Sequence, residues 1–97
     1  MPVESMVGPV VRSGDVADAV AEAARLDNPS REVTVVDHTA YIRVQCADEC
    51  IIRRETMEET LGRPFQMREL EVNLASFAGQ IETTSDQVRF YYGGGRS

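Results

Sequence analysis

The sequence predicts an α+β domain: two βαββ units packed around one shared core, with mostly antiparallel sheets. Three observations carry this prediction. A strand–helix–strand–strand order reads over residues 7–46 and recurs as strand–helices–strand–strand over residues 50–92. Ala40, Ile42, Val44 and Cys46 alternate cleanly with Tyr41, Arg43 and Gln45, the pattern of a half-buried antiparallel strand. Val16, Ala19, Val20, Ala23 and Ala24 recur at helical spacing, and their small side chains let a helix sit close on a sheet.

Taken in order, Met1–Met6 is expected to be a short flexible tail. Val7–Arg12 reads as an edge strand, because Pro9 has no N–H to give a second neighbour. Ser13-Gly14 turns the chain, and Asp15 is placed to cap a helix, with Asp18 three residues on. Asn28-Pro29 ends that helix. The β-branched run in Glu32–Asp37 predicts a strand. Asp37-His38-Thr39 turns into the alternating strand Ala40–Cys46, and Cys50–Arg53 is a short further strand. Thr56–Glu59 has the T-x-x-E form of a capping box, Gly62 suits a left-handed stop and Pro64 forbids continuation. Gln66–Asn73 fits either helix or strand periodicity; Met, Arg, Glu and Leu favour a helix of about two turns. Phe77–Thr83 and Gln87–Tyr92 complete the strands, and residues 93–97 are expected to be a flexible tail. Val16, Val20, Ile42, Val44, Leu61, Leu70, Ile81, Val88 and Phe90 form the expected core.

Ninety-seven residues suit one domain spanning 1–97. A chain of this mass buries about 65% of its extended surface, enough for one modest core and little room for a deep cavity. No run of eighteen apolar residues is present, and the N-terminus lacks the charge pattern of a signal peptide, so a cytoplasmic location is expected. The net charge is −6, and all ten basic residues are Arg. Without a basic stripe, nucleic acid and anionic membranes are poor partners. Arginine suits forked ion pairs at contact surfaces, although G+C-rich coding produces the same bias.

The residues that could carry chemistry do not assemble into a catalytic set. Cys46 and Cys50 would need two further ligands to hold zinc, and His38 is the only histidine. The pair reads as reduced thiols filling small core positions. His38 has no Ser or Cys at motif spacing and reads as a solvated turn residue. Glu55, Glu58 and Glu59 have no Glu-x-x-His partner. Arg53-Arg54 lacks a glycine-rich phosphate loop. No metal, cofactor or intramolecular disulfide is expected, and the chain reads as a non-catalytic module that acts through its surface.

The stretch Leu61–Ile81 is the candidate surface. Within it Asn73 and Ser76 interrupt an apolar run where helix changes to strand, an exposed junction. Asn73, Ala75, Ser76 and Phe77 are the candidate partner-binding residues. Two alternatives stay open: Asn73 and Ser76 as backbone caps, and Phe77 as core.

Several segments together resemble a known family. They are Val7–Asp15 (VGPVVRSGD), Asp27-Asn28-Pro29, Leu61–Phe65 (LGRPF), Asn73–Ile81 (NLASFAGQI) and Val88–Tyr91 (VRFY). They look like the small effector proteins of bacterial multicomponent diiron monooxygenases, most of all those of toluene and alkene monooxygenases. The phenol hydroxylase and methane monooxygenase regulatory proteins look like more distant relatives. The resemblance covers nearly the whole chain, and Gly62–Ile81 is its most specific block. It implies a cofactor-free protein that docks on the hydroxylase component above the diiron centre. Docking would tune oxygen activation, coupling and regiochemistry. The resemblance also implies that the Asn73–Phe77 segment belongs to the docking face. The methane relatives carry a long N-terminal arm, whereas this chain has only a few residues before Val7, so no role of such an arm carries over. The free protein is expected to be monomeric. A small-ligand regulatory domain is the rival function, and a redox enzyme using Cys46 and Cys50 is a third.

Overall fold

The structure, a computed structural model, describes residues 6–92. Three helices and seven strands follow the order β1 (Met6–Arg12), α1 (Asp15–Asp27), β2 (Val33–Asp37), β3 (Tyr41–Ala47), β4 (Glu49–Arg53), α2 (Arg54–Leu61), α3 (Met67–Asn73), β5 (Leu74–Ala78), β6 (Gln80–Thr83) and β7 (Gln87–Tyr91). The strands form a four-stranded sheet ordered β2-β3-β1-β5 and a three-stranded sheet ordered β4-β7-β6. Every neighbouring pair is antiparallel. This is the α+β class with antiparallel sheets that the alternation patterns predict. The expected tails, 1–5 and 93–97, lie outside the described residues; Met6 itself joins β1 opposite Ala47.

The shared core draws on both units. Val7, Val11, Val20, Val44, Ile52, Met57, Phe65, Leu70, Val88 and Phe90 are all essentially inaccessible to solvent. Of the nine expected core residues, seven are buried, while Leu61 and Ile81 are partly buried against the cluster. Ala17 and Ala21 are buried as well, so α1 is covered over more than its predicted stripe. The added cover comes from α2, which packs against α1 while α1 also rests on β3 and β4. Small alanine side chains permit both approaches.

Four sequence expectations are corrected. First, β1 is an interior strand, flanked by β3 and β5, and not an edge. The pairing with β3 lapses at Gly8 and Pro9, so the absent N–H of Pro9 falls in a gap of the ladder. Gly8 makes this possible: a Cβ there would lie 2.1 Å from the Val44 carbonyl oxygen. Second, the N-cap of α1 is Gly14, and Asp15 is the first helical residue. Third, α2 begins at Arg54, so Thr56 lies inside the helix and does not open it. Its hydroxyl instead donates to Asp27 Oδ1 at 2.7 Å. Gly62 does stop the helix in the left-handed conformation, at φ 72°.

Fourth, the single strand expected over Phe77–Thr83 is two strands in different sheets. β5 joins the first sheet beside β1, and β6 joins the second beside β7. Gly79, at φ 93°, makes the turn between them. The second unit therefore lends a strand to the first unit's sheet, which ties the halves together.

Asp27 and Asn28 hold the corner where β4 runs into α2. Asp27 Oδ2 accepts from the Arg53 N–H at 2.9 Å. Buried Asn28 gives Nδ2 to the Ile51 carbonyl at 2.8 Å, and its Oδ1 accepts from the Ile51 N–H at 3.0 Å. Because β4 is an edge strand, its outward backbone groups lack a neighbouring strand; the Asn28 amide stands in for one.

Candidate functional site

The α3–β5 junction is built from its residues upward. A capping box opens α3: the Gln66 side chain meets the backbone of Glu69, and Glu69 Oε2 accepts from the Gln66 N–H at 3.1 Å. That hydrogen bond, with the neighbouring Arg63 guanidinium, holds the Glu69 carboxyl below its ordinary value. At the other end Asn73 Nδ2 reaches back one turn and donates to the Glu69 carbonyl at 2.8 Å. Arg12 Nη1 donates to the Val72 carbonyl at 3.2 Å, which ties the helix end to β1. The chain then turns directly into β5.

The four candidate residues are contiguous in space but do not share one direction. Asn73 is half-buried and acts as a local cap, while Ala75, Ser76 and Phe77 are exposed. Phe77 lies opposite Pro9 on the core side of the sheet, and its ring sits 5.8 Å from the Phe90 ring across the seam between sheets. It is nevertheless 41% exposed, so it is neither wholly core nor wholly surface. Ser76 lies opposite Val10, on the other side of the sheet. The register shifts between Val10 and Val11, where Ala75 is the extra residue of β5. Val72, at 68%, is more exposed than Phe77. Helical spacing gives it no inward role, and that signal was available in the sequence.

Sheet register adds partners that linear spacing could not reveal. Val36 lies opposite Arg43, Arg43 opposite Val10, and Val10 opposite Ser76. One cross-strand row thus runs from β2 to β5 on the outward face of the four-stranded sheet.

The rival chemistries find little support in the geometry. Three hollows on the described surface are open. One is lined by Arg53, Arg54, Glu55, Glu58, Asp86 and Gln87, a mixed-charge rim without an apolar interior. Cys46 and Cys50 are free and fully buried. The two neighbouring thiols influence each other: the interaction with Cys50 holds Cys46 below the ordinary thiol value, while the interaction with Cys46 and burial push Cys50 well above it. Burial shields both from a soluble substrate. No group of three or more His, Cys, Asp or Glu side chains suited to a metal occurs among the described residues. His38 is exposed in the β2–β3 turn, its ring 5.1 Å from that of Tyr41.

Comparison with known proteins accords with this surface-dominated picture. The chain is 39% identical over 89 residues to the effector subunit of the alkene monooxygenase system of Xanthobacter autotrophicus strain Py2, covering 92% of this chain and 88% of that protein. It is 35% identical over 83 residues to the phenol 2-monooxygenase stimulatory component DmpM of Pseudomonas sp. strain CF600, covering 86% and 90%. A chain in a phenol hydroxylase–regulatory protein complex superposes with a TM-score of 0.75 at 34% identity, covering 91% of this chain and 99% of that one. The soluble methane monooxygenase regulatory protein B shares the fold, with a TM-score of 0.67 at 18% identity over 97% of this chain and 70% of that one. The MmoB/DmpM family model matches residues 5–91, and the chain belongs to that family.

Proposed function

We propose that this protein is a non-catalytic effector subunit that binds the hydroxylase of a multicomponent diiron monooxygenase. In this role it tunes oxygen activation, coupling and the regiochemistry of hydrocarbon hydroxylation or epoxidation. The observation that carries the proposal is the end-to-end likeness to effector and stimulatory subunits, alongside a fold also found in a hydroxylase–regulatory protein complex. The physical demand is small. A partner shifts a conformational equilibrium only through its differential affinity for the two states, and a ten- to hundredfold shift needs about 1.4–2.7 kcal/mol. A few contacts on a compact domain supply that. We assign the exposed β5 segment Ala75, Ser76 and Phe77, with Asn73 at its root, to the docking face, and a cytoplasmic location and a monomeric free state to the protein.

Reconstitution tests the assignment. With hydroxylase and electron donors present, the wild-type protein should raise turnover and lower uncoupled peroxide release, and alone it should do neither. Asn73→Ala with Ser76→Ala should remain folded, weaken hydroxylase binding at least severalfold and alter product distribution. A double variant that unfolds early, yet stimulates normally once folded, would assign both side chains to structure alone. Thermal stabilisation by a small metabolite in the absence of hydroxylase would favour the ligand-domain reading instead.

A further inference from the structure

The two sheets differ in how their outward faces handle charge. On the three-stranded sheet, Arg89 bonds Glu49 and approaches Glu82 at 3.4 Å, Arg31 meets Glu49 at 3.4 Å, and the Arg89 guanidinium lies 4.2 Å over the Tyr91 ring. That face neutralises itself. The four-stranded sheet does the opposite. Strands β1, β3 and β5 contain no Asp or Glu at all. The only carboxylate of β2 is Asp37, which lies opposite inward-facing Ile42 and accepts from the Thr39 N–H.

Arg43 stands in the middle of this second face, exposed, with Val36 and Val10 as its cross-strand neighbours and no carboxylate partner among the described residues. Tyr41 and Arg12, paired in the adjoining register, extend the face. Val36 and Tyr41 are 39% and 37% exposed. A carboxylate-free row that sets an arginine without a carboxylate partner between two valines is an unusual surface for a chain of net charge −6. None of these residues lines the hollow bordered by Arg53, Arg54, Glu55, Glu58, Asp86 and Gln87.

We infer that the outward face of the β2-β3-β1-β5 sheet is a hydroxylase-contacting surface, with Arg43 as its central charged contact and Ser76 at its β5 margin. The occupant is a protein surface that presents an apolar strip and a carboxylate opposite Arg43. The inference rests on the effector reading. It carries the docking surface from β5 across the sheet to residues more than thirty positions earlier in the chain. Charge complementarity selects the partner: an arginine flanked by valines gains most from a carboxylate brought in as the strip is dehydrated, because the local dielectric falls.

The experiment titrates hydroxylase with effector and reads the concentration giving half-maximal stimulation. Arg43→Glu is compared with Arg25→Glu, an equal charge change on the exposed side of α1. Arg43→Glu should raise that concentration at least tenfold, and Arg25→Glu should stay within twofold of wild type. Arg43→Ser, which removes the charge without reversing it, should raise it about threefold and flatten its dependence on salt. Melting curves should match wild type for all three; if Arg43→Glu is unstable, Arg43→Ser decides. Equal weakening by both Glu variants would mean a whole-molecule charge effect and overturn the inference, as would wild-type behaviour of Arg43→Glu. A change in self-association of the free protein, without a change in hydroxylase titration, would make the face a contact between copies and overturn it too. Failure of the wild-type protein to stimulate any diiron hydroxylase would instead remove the effector reading, and the inference with it.

Discussion

Asn28→Ala is the most informative perturbation of the fold. The residue is 5% exposed and holds both the N–H and the C=O of Ile51, while its Nδ2 also reaches the Ala24 carbonyl at 2.8 Å. Alanine removes the amide and leaves two backbone groups of β4 without partners. Ala24 keeps a donor, the backbone N–H of residue 28 at 3.2 Å. Each such group left unsatisfied costs about 1–3 kcal/mol, so a loss of about 2–6 kcal/mol is expected for the two. A domain of this size is stable by about 5–15 kcal/mol in total, so the variant should still fold. Urea unfolding followed by circular dichroism reads the effect. At a slope of about 2 kcal/mol/M, the midpoint should fall by about 1–3 M while the slope stays constant. Native-state hydrogen exchange should locate the loosening at Ile51 and the β4–α2 corner. A loss below about 1 kcal/mol would show that water replaces the amide without cost. The account of Asn28 as a surrogate strand would then fail.

Further outcomes follow from other positions. Gly79→Ala places a Cβ 2.6 Å from the Tyr91 carbonyl oxygen and 2.7 Å from Val7 Cγ1 at φ 93°. Strain and overpacking together should cost about 2–6 kcal/mol. Gly62→Ala, at φ 72° with open space around it, should cost about 1–2 kcal/mol. Comparable denaturant midpoints for the two variants would refute the importance of the close approach at Gly79. The pH dependence concerns Glu69, whose carboxyl is held below its ordinary value by the Gln66 N–H and by Arg63. A depressed carboxyl stabilises the fold above its unfolded pKa of about 4.3, and the contribution is lost as pH falls through the folded value. The stability difference between wild type and Glu69→Gln should therefore be flat near neutrality and shrink below that pH; a constant difference down to pH 3 would contradict the assignment.

Much of this protein was legible in its residues. Tyr41–Ala47 alternates because one face of β3 is buried, and a period of two leaves that strand no other orientation. Gly62 and Pro64 end α2 through local backbone restrictions that need no tertiary partner. The family likeness was legible as well, through Leu61–Ile81 and the segments around it, and with it the effector function proposed above. Ala75, Ser76 and Phe77 could be expected at an exposed helix–strand junction because polar side chains break an apolar run there.

Tertiary structure decided the rest, and the reason is that linear spacing carries no information about register. Pro9 argued locally for an edge strand; only the approach of Gly8 to the Val44 carbonyl shows how an interior strand tolerates it. Thr56 had the form of a cap, yet Asp27, distant in sequence, takes both its hydroxyl and the Arg53 N–H, so the helix starts earlier. Phe77–Thr83 had the composition of one strand, but Gly79 turns the chain between two sheets. The row Val36–Arg43–Val10–Ser76 spans four strands drawn from distant parts of the chain. Each strand's alternation sets which side chains point outward, but the alignment of Arg43 with Ser76 exists only once long-range pairing has closed the sheet.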